Sequence, residues 1–177
     1  MSKNLLEIFN RYTPDDEARE ILLMADPDSV KLRADKPQRM IEVSASFPSI
    51  VPRSRFYRIE EAIKAAYDLN AVFLCPRFPS HLFGKDCIPD LLTETNRRGI
   101  VAKGFFDHCS YRLLEGVLEI EIPFTESGVG LIYDAKTPQL MEELLQQTYG
   151  VRLTVQIRQM QNGEALSYQN AMRSQMQ

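Results

Sequence analysis

The stretch Tyr111-Arg112-Leu113-Leu114-Glu115-Gly116-Val117-Leu118-Glu119-Ile120-Glu121-Ile122 decides the fold. Leu118, Ile120, Ile122 and then Phe124 alternate with polar residues, the two-residue period of a strand with one buried and one wet face. Glu115-Gly116 separates this run from Tyr111-Arg112-Leu113 and predicts a tight hairpin turn. Downstream, Thr137-Pro138 opens a helix that presents Leu140, Met141, Leu144 and Leu145. Gly150 caps that helix, and Val151, Leu153, Val155 and Ile157 alternate as a further strand. Upstream, a helix from about Pro89 to Arg98 ends at Gly99. The second half therefore reads α-β-β-α-β.

The first half reads the same way. Ile8, Phe9, Ala18, Ile21, Leu22 and Ala25 recur at helical intervals over Leu5–Phe9 and Pro14–Ala25, and Asp26-Pro27-Asp28 stops the second helix. Val30 and Leu32 alternate with Lys31 and Arg33, Asp35-Lys36-Pro37 forms a turn, and Ile41, Val43, Ala45 and Phe47 alternate with Glu42, Ser44 and Ser46. This predicts a half-buried hairpin. Pro52 opens a helix carrying Phe56, Ile59, Ile63 and Ala66, Asn70 ends it, and the strand Ala71–Cys75 is closed by Pro76. Ser29-Val30-Lys31-Leu32 matches Ser110-Tyr111-Arg112-Leu113 in place, and Ala66-Tyr67-Asp68-Leu69 matches Thr148-Tyr149-Gly150-Val151. The expectation is an α+β protein of two related small α-β-β-α-β, KH-like subdomains, one over residues 1–78 and one over 79–159. Pro76-Arg77-Phe78-Pro79-Ser80 is read as the joint. Residues 160–177, polar and Gln-rich, are read as a linker or tail.

Composition bounds the function. The 177 residues are 44% apolar and 25% charged, an ordinary globular mixture, and no run approaches the roughly 20 apolar residues of a spanning helix. The start of the chain has no signal-peptide apolar core, so a cytoplasmic location is expected. Cys75, Cys87 and Cys109 are too widely spaced for a disulfide framework or zinc ribbon. A net charge of -3 argues against a protein that mainly coats nucleic acid.

No motif assembles an active site. His81 and His108 are the only histidines, and the neighbours in Asp107-His108-Cys109 would point apart on a strand, so this run is expected to be a loop or turn. No metal-ligand spacing is present, and neither a metal nor a cofactor is expected. Asp15-Asp16-Glu17 suits a helix start, Glu119 and Glu121 a polar strand face, and Glu142-Glu143 a solvated helix face. Ser127-Gly128-Val129-Gly130 lacks the pattern of a phosphate loop and reads as a flexible turn. Arg53, Arg55 and Arg58 crowd the first turn of a helix, where the dipole attracts anions, and form the candidate anion or nucleic-acid site. The competing reading is that they lie in water or pair with Glu60 and Glu61. Arg97, Arg98 and Lys103 suit a helix C-terminus.

Several strings together resemble one family. They are Arg58-Ile59-Glu60, Ala66-Tyr67-Asp68-Leu69-Asn70, Cys75-Pro76-Arg77-Phe78-Pro79, Arg97-Arg98-Gly99, Gly104-Phe105-Phe106-Asp107, Ile122-Pro123-Phe124 and Tyr133-Asp134-Ala135-Lys136-Thr137-Pro138. As a set they resemble the N-terminal region of PolC-type DNA polymerase III. The resemblance implies small modules like those of the clamp-loader tau C-terminus and the initiator DnaA N-terminus, which bind proteins. It implies a non-catalytic region that docks replisome proteins such as the clamp loader, helicase, primase or initiator. The polymerase chemistry of that family lies in domains beyond this region, so no catalytic residue carries over. The alternative is a KH-like module that contacts DNA phosphates through Arg53, Arg55 and Arg58, against which the lack of a basic GxxG clamp counts.

Overall fold

The computed structural model describes residues 3–33, 38–99 and 104–161. The expected turn Asp35-Lys36-Pro37, Lys103 and the tail from Asn162 onward lie outside the described residues. The chain is α+β and divides into two compact units: Met1–Phe83 with Gln147–Gly150, and Gly84–Gln146 with Val151–Gln177.

In the first unit, α1 (Leu5–Ile8) and α2 (Asp16–Met24) precede β1 (Asp26–Arg33) and β2 (Met40–Ser46), followed by α3 (Arg53–Tyr67) and β3 (Ala71–Arg77). Asn4 caps α1 through its side chain, and Asp15 caps α2 by accepting the Ala18 N–H at 2.8 Å. The sheet order is β1-β2-β3, with β1 antiparallel to β2 and β2 parallel to β3. Ile41, Val43 and Ala45 of β2 alternate inward and are buried, as are Phe56, Ile59 and Ile63 of α3 and Ile21 and Leu22 of α2.

In the second unit, α4 (Ile88–Arg98) precedes the hairpin β4 (Ser110–Leu114) and β5 (Val117–Ile122). Then come α5 (Glu126–Asp134), α6 (Thr137–Tyr149), whose residues from Gln147 onward belong to the first unit, and β6 (Thr154–Gln159). The order β4-β5-β6 repeats the first sheet in both strand order and strand sense. Leu118, Ile120 and Ile122 are fully buried, as are Ile88, Met141 and Leu145. Gly116, at φ 72°, supplies the left-handed residue of the predicted hairpin turn.

The equivalence of the units reaches single positions. Lys31 faces Glu42 across the β1–β2 ladder where Arg112 faces Glu119 across β4–β5. Tyr67 and Tyr149 each end a helix, and each is followed by a left-handed residue, Asp68 at φ 50° and Gly150 at φ 63°.

Five expectations need correction. The helix α3 stops at Tyr67 with Asp68 as its cap, three residues before Asn70. Pro76 does not close β3, because on an edge strand its missing N–H takes nothing from the β2 ladder. Val30 is 41% exposed, since β1 is an edge strand and the buried row belongs to β2. Val151 and Leu153 precede β6, which begins at Thr154. Ser127-Gly128-Val129-Gly130 is helical rather than a turn: Thr125 enters in extended geometry and Glu126 provides the acidic first turn of α5. Gly128 lies so close to Phe124 that an added Cβ would sit 2.9 Å from the Phe124 Cβ, so packing fixes this glycine.

Candidate functional site

The three arginines of the anion-site expectation start α3, whose N-terminal residue Pro52 makes no side-chain cap and whose first turn holds no acid. Such a start has unsatisfied N–H groups and a positive dipole end, so cations there are disfavoured. The structure compensates from α2. Arg55 Nε pairs with Glu17 Oε1 at 3.1 Å, and Arg58 pairs with Glu17 Oε2 at 3.5 Å and with Asp15 Oδ2 at 3.9 Å. Of the two glutamates nearer in sequence, Glu60 turns inward and accepts the Leu74 N–H, and Glu61 pairs with Lys64 at 3.5 Å.

Arg53 does not join the other two. It is 5% exposed, and its Nη2 donates to Thr148 Oγ1 at 3.1 Å within the first unit. Phe78 shares Thr148 with it, donating its N–H to the Thr148 carbonyl at 2.7 Å and stacking at tilted angles on Phe47, Phe56 and Tyr149. Arg53 is therefore part of the packed interior of the unit.

Arg55 and Arg58 form one wall of a cleft of about 170 Å³, with Asp15 and Glu17 as the other wall and Ala18, Ile21 and Ile59 as an apolar floor. The volume is below the roughly 300 Å³ at which small-molecule sites begin. Tyr12 borders it. Burial pushes the Tyr12 phenol above its ordinary value, Asp15 pushes it the same way, and Arg58 opposes them. The cleft's charge is balanced, two guanidiniums against two carboxylates, which leaves little attraction for a polyanion.

Elsewhere the residues screened for chemistry stand apart. Asp107 and His108 are exposed in a turn, as expected, and His81 is exposed in a short 3-10 turn at Ser80–Leu82. Burial, the largest effect on Cys109, pushes its thiol up, the opposite of what a nucleophile needs. Among the described residues no group of three or more His, Cys, Asp or Glu is placed to hold a metal ion, and no helix is long and apolar enough to cross a membrane.

The acidic residues divide into solvated and structural ones. Glu119 and Glu121 line the polar face of β5 as expected. There they are clasped by Arg112, at 2.7 and 3.9 Å, and by Arg158, which touches Glu119 and lies 3.6 Å from Glu121. Arg97 and Arg98 both reach Glu94, which is 1% exposed. Glu142 departs from the expected solvated face: its Oε1 accepts the Val155 N–H at 2.9 Å. Glu60 does the same for Leu74 at 2.7 Å, and the Tyr133 hydroxyl accepts the Ile157 N–H at 3.0 Å. Sequence reasoning missed this helix-to-edge capping. The only signal for it is a glutamate on the inner half of an otherwise apolar helix face.

Neither a family model, nor a curated protein, nor a solved structure matches this chain.

Proposed function

We propose that this chain is a non-catalytic docking module of a bacterial replicative polymerase, holding other replisome proteins during DNA replication. The polymerase context comes from the resemblance of its strings to the N-terminal region of PolC-type DNA polymerase III. One observation carries the docking reading over nucleic-acid binding: the arginines best placed for phosphate are spoken for, Arg53 inside the unit and Arg55 and Arg58 by Asp15 and Glu17. A phosphate-binding surface depends on uncompensated Lys and Arg, and ion pairs of this kind remove that advantage. Two small α+β units, the second with an unbroken sheet edge at β4, instead supply surface for protein partners. The partner class is the clamp loader, helicase, primase or initiator.

The test is capture from a replication extract. The tagged chain should enrich one of these proteins over a scrambled-sequence control, and enrichment of none defeats the reading. Parallel titration with labelled single-stranded and duplex DNA at low and high salt should show no salt-sensitive binding. Tight binding that weakens steeply with salt would establish the KH-like nucleic-acid alternative instead.

A further inference from the structure

Of the four sheet edges, three are built against pairing. At β3 the Leu74 N–H goes to Glu60, Pro76 has no N–H, and the next amide, Phe78, goes to the Thr148 carbonyl. At β6 the Val155 and Ile157 amides go to Glu142 and Tyr133. The β1 edge contains Pro27 and a register shift between Pro27 and Ser29. Prolines, bulges, charges and covering groups are the usual means by which proteins prevent an edge from recruiting another strand. The β4 edge, Ser110–Leu114, has neither proline nor bulge and runs in unbroken register with β5, and its one charged residue is Arg112.

We infer that β4 is a docking edge that takes up an extended protein segment in which apolar residues alternate with acidic ones. The side chains of β4 set that chemistry. Tyr111 and Leu113 face the core side but stay half-buried, with Lys85 Nζ 5.9 Å from the centroid of the Tyr111 ring. On the opposite face Arg112 keeps 63% of its side chain exposed while pairing with Glu119 at 2.7 Å and Glu121 at 3.9 Å, and the row across the sheet runs Arg112, Glu119, then Gln156. A strand added outside β4 places its residue beside Arg112, with Glu119 already on the far side, so an acidic residue continues the alternation of sign and a basic one breaks it. Main-chain hydrogen bonds would supply affinity and the alternate side chains specificity. This rests on the docking reading above and adds the edge and the partner's chemistry.

The probe is a fluorescein-labelled heptapeptide alternating valine with glutamate, titrated against the full chain by fluorescence anisotropy. Saturable binding is expected. It should weaken at least tenfold when lysine replaces glutamate, and also when the backbone amides along one edge of the peptide are N-methylated. Arg112→Gln should abolish the preference for glutamate over lysine, and Arg112→Glu should reverse it, with circular dichroism verifying that both variants remain folded. Equal binding of the N-methylated peptide, indifference to its charge, or no binding at millimolar peptide each overturns the inference. So does a concentration-dependent dimer that excludes the peptide, which would give this edge to a second copy. Replisome capture by the Arg112→Glu variant at the wild-type level sinks the edge alone, whereas peptide binding without any replisome capture sinks the polymerase reading alone.

Discussion

Glu60 reaches from the middle of α3 to the edge of the first sheet and accepts the Leu74 N–H at 2.7 Å, with only 4% of its surface exposed. A buried amide with no partner costs more than a hydrogen bond gains, so this carboxylate is worth most where it cannot be replaced by water. Glu60→Leu is expected to lose about 2–3 kcal/mol of stability in urea unfolding, while Glu61→Ala, on the exposed side of the same helix, should change it by less than about 0.5 kcal/mol. Equal effects at the two positions would show that the edge amide does not depend on Glu60.

The two helix exits differ in how well their residues suit a left-handed backbone. Asp68 holds φ 50° with a side chain, whereas Gly150 holds φ 63° without one. Asp68→Gly should therefore stabilise the protein by about 0.5–1 kcal/mol, and Gly150→Ala should destabilise it by about 1 kcal/mol. Thermal melts of the two variants give opposite shifts if the positions are equivalent. The Arg39–Asp68 pair lost in the first variant is 3.8 Å long and exposed, so its removal matters little.

Within α5 the two glycines should answer oppositely to alanine. Gly130 has open space where a Cβ would go, and Gly128 has the Phe124 Cβ at 2.9 Å. Gly130→Ala should gain up to about 1 kcal/mol from helix propensity, and Gly128→Ala should lose about 1–3 kcal/mol through overpacking. Denaturation midpoints of the single variants decide it; a stabilised Gly128→Ala would mean that α5 shifts freely on Phe124.

Tyr12 makes the alkaline limb of stability readable. Its phenol is raised above the ordinary 10.0 in the folded chain, chiefly by burial. The unfolded phenol ionises first as pH climbs, so the stability it contributes is intact below pH 10.0 and is lost as pH rises through the folded value. Tyr12→Phe should flatten the fall in urea stability between neutral pH and this alkaline range. An unchanged slope would place the effect on other tyrosines or on the lysines.

The parts of this fold that follow local chemistry were legible in the sequence. The alternation in Leu118–Ile122, the Glu115-Gly116 turn and the acidic helix start at Asp15-Asp16-Glu17 depend on residues near one another, and each appears where expected. The misplaced features depend on what lies across from them. Pro76 reads as a strand end until its edge position is known, and Gly128 reads as a turn until Phe124 is found beneath it. The candidate site failed to be legible for the same reason. Three arginines on one helix turn look alike in sequence, yet tertiary packing sends Arg53 to Thr148 and the other two to α2. Glu60 and Glu142, the residues that seal the edges, resembled any other helix-face acids.

The placement of Gln147–Gly150 in the first unit has a consequence for the order in which the chain matures. Arg53 and Phe78 find Thr148 across a long span of intervening sequence, 95 residues in the case of Arg53. Domains ordinarily fold as units from the N-terminus during synthesis. Here a ribosome that has released residues 1–83 has not yet supplied the last piece of their interior. Until Gly150 emerges, the first unit lacks the Thr148 hydroxyl that Arg53 binds and the Tyr149 ring beside Phe78, so the earlier half of the gene product is completed by the later half.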